Sequence, residues 1–130
     1  MAHTDHDFAQ FVADAFDSEE SVMIMLVLRQ AGGLTAGEVL DRLERDFHVE
    51  QTDQRRLAEK RVELRLRDLV ARGVVKHGHD NRFSDRTDEA GLTELADRLA
   101  LEFETRRSQL NRMIYATASR ARRLAEAFRL

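Results

Sequence analysis

Apolar residues recur at helical spacing in the first part of the chain and predict two helices. In "HDFAQFVADAF", the residues of one helix face are Phe8, Phe11, Val12, Ala15 and Phe16. In the next segment, residues 22–28 are apolar on every side, so we expect a central and buried second helix. Ser18 can cap this helix at its start, and "AGG" at residues 31–33 is expected to end it.

The stretch "LTAGEVLDRLERDF" carries the clearest start signal for a helix in the chain. Thr35 and Glu38 form an S/T-x-x-E capping box, and Leu34 precedes it in the position of a hydrophobic staple. The pattern predicts a third helix whose core face consists of Val39, Leu40, Leu43 and Phe47.

A fourth helix is predicted after the connection "HVEQ". Thr52 or Asp53 can cap its first turn, and it extends to about Arg72 before Gly73 ends it. Its apolar face consists of Val62, Leu66, Leu69 and Val70.

The residues after the fourth helix have the pattern of two short strands. "VVKH" and "RFS" flank a polar turn in which Gly78, Asp80 and Asn81 are the turn formers. The sequence therefore predicts a two-stranded β-hairpin.

From about Asp88 the apolar spacing is helical again and nearly heptad. This seam is too long for a small domain to bury alone, so we expect a homodimer. The predicted dimer interface is Leu92, Leu95, Leu99, Phe103, Leu110, Met113 and Ile114. "ATAS" at residues 116–119 offers a break, and a last amphipathic piece carries Ala121, Leu124, Ala125 and Phe128.

Three helices, a hairpin and a further helix form the order of a winged helix-turn-helix domain. We therefore predict a mainly α (α+β) fold with a two-stranded hairpin wing and a long C-terminal dimerisation helix. The 130 residues are expected to form one domain. Within it, residues 1–17 are an N-terminal helix, 18–87 the winged-helix core and 88–130 the C-terminal dimerisation region.

The charge of the chain is unevenly distributed. The net charge is −3, but residues 1–50 hold three Arg against eleven acids, whereas residues 52–86 hold ten Lys plus Arg against six acids. A basic middle favours an anionic partner for that part of the surface. Nineteen of the 21 basic residues are Arg, which suits bidentate contacts with phosphate and guanine, although a genome rich in G and C gives the same composition.

In a winged helix-turn-helix domain the third of the core helices enters the major groove of DNA. On the fourth helix, Arg56, Lys60 and Arg67 fall opposite the apolar face, and the hairpin adds further basic residues. The predicted DNA contacts are Gln54, Arg55, Arg56, Lys60, Arg61, Arg67, Lys76, Arg82 and Arg86. The alternative for the helix is a solvated face on which Glu59 and Glu63 neutralise the arginines.

Other kinds of site have little basis in the sequence. Without cysteine there can be no disulfide and no thiolate, which fits a cytoplasmic location. His77 and His79 could hold a metal ion only with further ligands, so no metal or cofactor is predicted. The chain has no phosphate-binding glycine loop, no G-x-S-x-G elbow and no HExxH motif, and we do not expect an enzyme. No apolar run approaches the roughly 20 residues of a membrane span.

Three stretches of the chain carry a family resemblance. "DSEESVMIMLVLRQAGGLTAGEVLDRL", "LRDLVARGVV" and "RRSQLNRMIYATASRARRLAEAFRL" resemble small bacterial winged helix-turn-helix proteins described as MarR-like transcriptional regulators. The similarity covers about residues 17–130 and rests on general pattern. The resemblance implies a DNA-binding regulator and brings no ligand or operator with it.

Together, these observations favour a sequence-specific transcriptional regulator that binds double-stranded DNA as a homodimer. The alternative is a winged-helix adaptor that presents the same basic face to an acidic protein and does not bind DNA. The sequence identifies neither a small-molecule effector nor a target DNA.

Overall fold

The computed structural model describes residues 4–47 and 54–116 of the chain. Within these ranges the protein is mostly helical and has one two-stranded antiparallel sheet, in agreement with the predicted mainly α (α+β) class. No helix in the described ranges is both long and apolar enough to cross a membrane.

The chain forms two compact units. The central unit comprises residues 20–92, and the terminal unit joins residues 1–19 to residues 93–130. The first helix belongs to the same unit as the C-terminal residues.

The elements follow in the predicted order. They are α1 (Asp5–Ala15), α2 (Glu19–Ala31), α3 (Ala36–Phe47), α4 (Arg55–Ala71), β1 (Val75–His77), a 3₁₀ turn (His79–Asn81), β2 (Phe83–Asp85) and α5 (Thr93–Thr105). Residues 107–116 form a further helical stretch, α6. The predicted caps Thr52 and Asp53 lie outside the described residues, as does the predicted last amphipathic piece.

Helix α2 is buried on nearly all sides, as its apolar run predicts. Glu19 and Glu20 begin the helix, where negative charge suits the positive end of the helix dipole. The residues from Ile24 to Leu28 are all buried. The helix ends at Ala31, and Gly32 then adopts a φ of 75°, a conformation that glycine accepts without strain.

The capping box of α3 is confirmed. The backbone N–H of Thr35 donates to Glu38 Oε1 at 3.2 Å, and the N–H of Glu38 donates to Thr35 Oγ1 at 3.3 Å. Two donors that the helix would leave unsatisfied are thereby paired. The predicted core residues Val39, Leu40 and Leu43 are buried, whereas Phe47, the last residue of the helix, is only half-buried.

Helix α4 buries one face through residues three or four positions apart, which are Ala58, Val62, Leu66 and Leu69. Val70 is only half-buried because it lies about 100° around the helix from its neighbour Leu69. The helix closes in the Schellman pattern: the N–H of Val74 donates to Leu69 O at 3.2 Å and the N–H of Gly73 to Val70 O at 3.0 Å. The predicted end at Gly73 is confirmed.

The predicted hairpin is present. Strands β1 and β2 pair antiparallel with the register Val75↔Asp85, Lys76↔Ser84 and His77↔Phe83. In the turn between them, Asp80 and Asn81 both have a φ of 60°, a left-handed conformation that Asp and Asn accept more readily than most residues.

One further pairing attaches the hairpin to the helices of the central unit. The N–H of Leu34 donates to Phe83 O at 2.9 Å, and the N–H of Phe83 donates to Leu34 O at 2.7 Å. Both side chains are buried, and that of Phe83 has no exposed surface. The connection between α2 and α3 therefore lies against β2 and holds the hairpin in place.

The terminal unit packs α1 against α5. A capping box at Thr4 begins α1, with the N–H of Asp7 donating to Thr4 Oγ1 at 3.1 Å. The guanidinium of Arg98 lies 4.3 Å from the ring centroid of Phe8, a cation–π geometry. All five apolar residues predicted for the first helix face are buried.

The predicted start of the C-terminal helix at about Asp88 is wrong. Residues 87–91 form a turn, in which the N–H of Leu92 donates to Thr87 O at 2.8 Å. Gly91 has a φ of 74°, which a continuous helix cannot include, so α5 begins only at Thr93.

The prediction of one long C-terminal helix is also wrong, because the structure has two helices in this region. Helix α5 ends at Thr105, and Arg106 separates it from α6. Every residue between Phe103 and Leu110 is exposed, so the break lies in a stretch that contributes no residue to the core. The hydroxyl of Thr105 also donates to Leu101 O at 2.7 Å, the kind of back-bond that bends helices.

Replacement of Phe83 tests the role of the buried hairpin contact. We expect Phe83→Ala to lower the free energy of unfolding by about 3–5 kcal/mol, because it empties a fully buried site. The measurement is urea denaturation followed by circular dichroism. Leu64→Ala, at a side chain that is 59% exposed, is the control and should change stability by less than about 0.5 kcal/mol. Equal losses for the two variants would contradict the described core.

Candidate functional site

The outward face of α4 carries two basic side chains without partners. Arg56 and Lys60 lie outside the buried face that includes Val62 and Leu66, and both are exposed. Neither side chain makes an ion pair or a hydrogen bond with any residue that the structure describes. Gln54, directly before the helix, is exposed, and its side chain is likewise without a partner in the described ranges. These three predicted contacts are therefore available to an external ligand.

The same face also exposes two leucines that the sequence analysis did not single out. Leu57 is 64% exposed and Leu64 is 59% exposed. At 100° per residue, both fall beside Lys60 and away from the buried face. The signal was present in the sequence, because leucine at these two positions interrupts an otherwise polar helix face.

Arg55 is directed toward α3 rather than outward. It donates through Nη2 to Asp41 Oδ1 and to Gly37 O, and Glu44 lies 3.7 Å away. The hydrogen bond to Asp41, with the charge of that carboxylate, raises the pKa of Arg55 above its usual value. Arg55 therefore contributes to the α3–α4 contact, and its contact with DNA stays a prediction.

Arg61 and Arg67, two further predicted contacts on α4, are also bonded to carboxylates. Arg61 donates to Glu20 Oε1 at 2.9 Å, and Arg65 donates to the same oxygen at 2.8 Å. These bonds connect α4 to α2. Arg67 donates to Glu63 at 3.0 Å across one helical turn, which is the solvated, salt-bridged arrangement described by the alternative interpretation.

The hairpin cations are partly paired as well. Lys76 is bonded to Glu89, and Arg82 donates to Glu38 Oε1 at 3.0 Å and to Gly33 O at 3.2 Å. Arg86 donates weakly to a backbone carbonyl, Gly73 O, at 3.4 Å. It has no carboxylate partner within the described residues, so it is the hairpin cation with the least compensated charge.

The first turn of α3 brings α4 and the hairpin into contact with the same few residues. Arg55 of α4 reaches Gly37 O from one side, and Arg82 of the hairpin reaches Glu38. The carboxylate of Glu59 also lies against Gly37. A Cβ atom added to Gly37 would lie 3.4 Å from Glu59 Oε1. The start of α4 and the hairpin therefore both contact one helical turn, although Arg55 and Arg82 are 27 residues apart in sequence.

Glu38 stands at the centre of this arrangement. Hydrogen bonds from Thr35 lower the pKa of Glu38, and the charge of Arg82 lowers it further, while partial burial acts in the opposite direction. The lowered pKa keeps this carboxylate ionised at neutral pH, where its charge offsets that of Arg82.

A second contact holds the base of the hairpin. Arg29 on α2 donates to Thr87 Oγ1 at 2.7 Å and lies 3.4 Å from Asp85. Thr87 is fully buried, and both its N–H and its hydroxyl donate to Asp85 Oδ1. Sequence reasoning did not identify this cluster, because Arg29 lies more than 50 residues from Asp85 and Thr87.

Of the two hairpin histidines, His77 makes contacts within the hairpin itself. The ring of His77 stacks on that of Phe83 at 4.3 Å between centroids and lies 2.9 Å from Asn81 Oδ1. In the part of the chain that the structure describes, no three His, Cys, Asp or Glu side chains come together as a metal-binding group.

The predicted dimer seam is not an exposed stripe. Five of its seven residues are buried in a single chain: Leu95, Leu99, Phe103, Leu110 and Ile114. Leu92 and Met113 are only half-buried. The argument that one chain cannot cover these side chains is therefore wrong, because the fold already removes them from water. The homodimer itself stays a prediction.

No protein-family model, no curated protein and no solved structure matches the chain.

The ionisation of Glu38 generates a prediction about stability and pH. A carboxylate whose pKa is lowered on folding stabilises the protein above its ordinary pKa of 4.5, and this contribution is lost as the pH falls through the folded-state value. Glu38→Gln removes the titration. We expect the stability difference between wild type and Glu38→Gln to be largest near pH 6–7 and to shrink below about pH 4.5.

Urea denaturation at a series of pH values between 7 and 3 measures this difference. Glu104→Gln, at an exposed carboxylate without a hydrogen bond in the described residues, is the control and should follow the wild type at every pH. A difference between wild type and Glu38→Gln that does not change with pH would show that the described contacts of Glu38 do not form.

Proposed function

We propose that this protein is a DNA-binding transcriptional regulator with a winged helix-turn-helix domain. In this proposal the central unit is the DNA-binding domain, with α4 as the recognition helix and the β1–β2 hairpin as the wing. The ligand is double-stranded DNA, and the protein acts in the cytoplasm of its cell.

The unpaired cations on α4 are the observation that carries the proposal. Arg56 and Lys60 lie on the outward face in the first two turns of the helix, and the described carboxylates compensate neither of them. The first turns of a recognition helix are those that reach base edges in the major groove. Arg and Lys there can donate to the O6 and N7 acceptors of guanine.

The hairpin supplies the second group of contacts. Arg86 keeps most of its charge uncompensated, and Arg82 is paired with Glu38 at an exposed position where both side chains are nearly half accessible. An exposed ion pair of this kind contributes little to stability, so a phosphate can replace the carboxylate as the partner of Arg82. The Leu34–Phe83 pairing keeps the hairpin close to α3 and so limits the geometry in which both groups bind.

The terminal unit is the proposed dimerisation region. A two-fold dimer would recognise a pseudo-palindromic site. Since the seam of α5 is buried, the dimer must use side chains that remain exposed, and Leu101 and Tyr115 are the large apolar ones in the described residues of this unit. A monomer mass in light scattering at tens of micromolar would remove the homodimer from the proposal.

A second function, an adaptor that binds an acidic protein, has its own observation in its favour. Five of the nine predicted DNA contacts are already bonded to carboxylates, and the outward face of α4 exposes Leu57 and Leu64. Exposed apolar side chains next to cations also fit an acidic amphipathic segment of a protein. DNA binding distinguishes the two functions.

The test of DNA binding uses Arg56→Ala and Lys60→Ala. Duplexes enriched from a random pool at low salt serve as probes, and fluorescence anisotropy measures the dissociation constant. Each substitution should weaken binding by about 1–3 kcal/mol, because it removes a side chain that contacts a base. The logarithm of the binding constant should fall linearly with that of the salt concentration, since bound cations release counterions from the DNA.

Arg45→Ala is the matched control. Arg45 is an exposed cation on the last turn of α3, bonded to its neighbour Asp46 at 2.9 Å, and its loss should leave the affinity almost unchanged. Arg82→Ala should instead weaken binding to all sequences alike. Failure to retain any duplex at low salt would exclude the regulator and favour the adaptor.

A further inference from the structure

The exposed leucines of α4 are unusual for their position rather than for their exposure. Single exposed apolar side chains are normal on protein surfaces. Among the described residues, however, four large hydrophobic side chains are exposed, and two of them, Leu57 and Leu64, lie on the one helix face that also carries unpaired cations. A ligand that offers apolar groups close to negative charge would therefore match this face.

Leu57 has the more informative position of the two. It lies in the first two turns of α4, immediately after Arg56 and one turn before Lys60. Around the helix it falls about 60° from Lys60, on the side away from Arg56. Leu64 lies about 10 Å further along the axis, which corresponds to about three base pairs of B-DNA.

The major groove offers the required combination at one kind of base pair. An A·T pair presents the 5-methyl group of thymine in the groove, and apolar side chains contact this methyl group. Phosphates border the groove on both sides, within reach of the neighbouring cations. No other unmodified base presents a methyl group there, so a leucine in this position distinguishes thymine from the other bases.

We propose that Leu57 contacts the methyl group of a thymine in the major groove and thereby specifies an A·T pair next to the base or phosphate that Lys60 contacts. This inference rests on the proposed function, and it assigns a specificity-determining role to a residue outside the basic set. The target of the protein therefore contains a thymine whose methyl group contributes to affinity.

Replacement of thymine by deoxyuridine tests the contact directly, because it removes the methyl group and leaves the hydrogen-bonding pattern of the base unchanged. A duplex enriched from a random pool is resynthesised with deoxyuridine at one thymine at a time. At one thymine of the site, or one in each half-site of a symmetric target, the change to deoxyuridine should weaken binding of the wild-type protein about fourfold. This is the effect expected for the loss of one buried methyl-sized group.

The same duplexes are then measured with Leu57→Ala and with Arg45→Ala. Leu57→Ala should bind the thymine and deoxyuridine forms equally at the sensitive position. Arg45 is exposed on the last turn of α3 and bonded to Asp46, outside the proposed contact surface, and its replacement should preserve the fourfold difference. Thermal melting by circular dichroism establishes that both variants are folded.

Three outcomes have distinct meanings. Loss of the methyl effect in Leu57→Ala alone establishes the contact. Persistence of the effect in Leu57→Ala, or its absence at every thymine in the wild type, overturns the inference while DNA binding stands. If no duplex is enriched at all, the proposed function fails together with the inference.

Discussion

The arrangement of the central unit depends on the pairing of Leu34 with Phe83. Two short backbone hydrogen bonds connect the α2–α3 connection to strand β2, and the Phe83 side chain is completely buried beside them. The three-residue strands of the hairpin need such contacts with the rest of the unit, because an isolated two-stranded hairpin is at best marginally stable in water. With this pairing in place, Arg82 reaches the first turn of α3, to which the first turn of α4 is also bonded.

Charge pairing divides the basic surface into two parts with different roles. Arg55, Arg61 and Arg82 connect elements that are distant in sequence, and each has a carboxylate as its partner. Arg56 and Lys60 have none among the described residues, although Glu59 and Glu63 lie one helical turn away. Unpaired cations on a rigid helix give a field that directs an anionic ligand, whereas the paired ones contribute mainly to the position of the helices. Net charge alone, at −3, would have indicated no such surface.

Local signals in the sequence were sufficient for most of the elements. The Thr35–Glu38 capping box and the glycines that end α2 and α4 depend on residues within one turn, and so do Asp80 and Asn81 of the hairpin turn. The predictions based on them agree with the structure. The predictions that failed concern contacts between residues that are far apart in sequence. The partners of Arg55 and Arg61 lie 14 and 41 residues away, and no local pattern identifies them. The apolar residues of α5 were correctly recognised, but most of them are buried within the single chain. Their spacing shows that they form one helix face, and it does not identify the surface against which that face packs.

The central claim is that the outward face of α4 and the hairpin together form the contact surface for DNA. A titration of ¹⁵N-labelled protein with duplex DNA at low salt, followed by amide chemical shifts, tests it most directly. The account predicts that the shifts concentrate in residues 54–60 and 76–86, while the amides of α1 and α5 change little. Shifts that concentrate instead on the terminal unit, or spectra that duplex DNA does not alter, would contradict it.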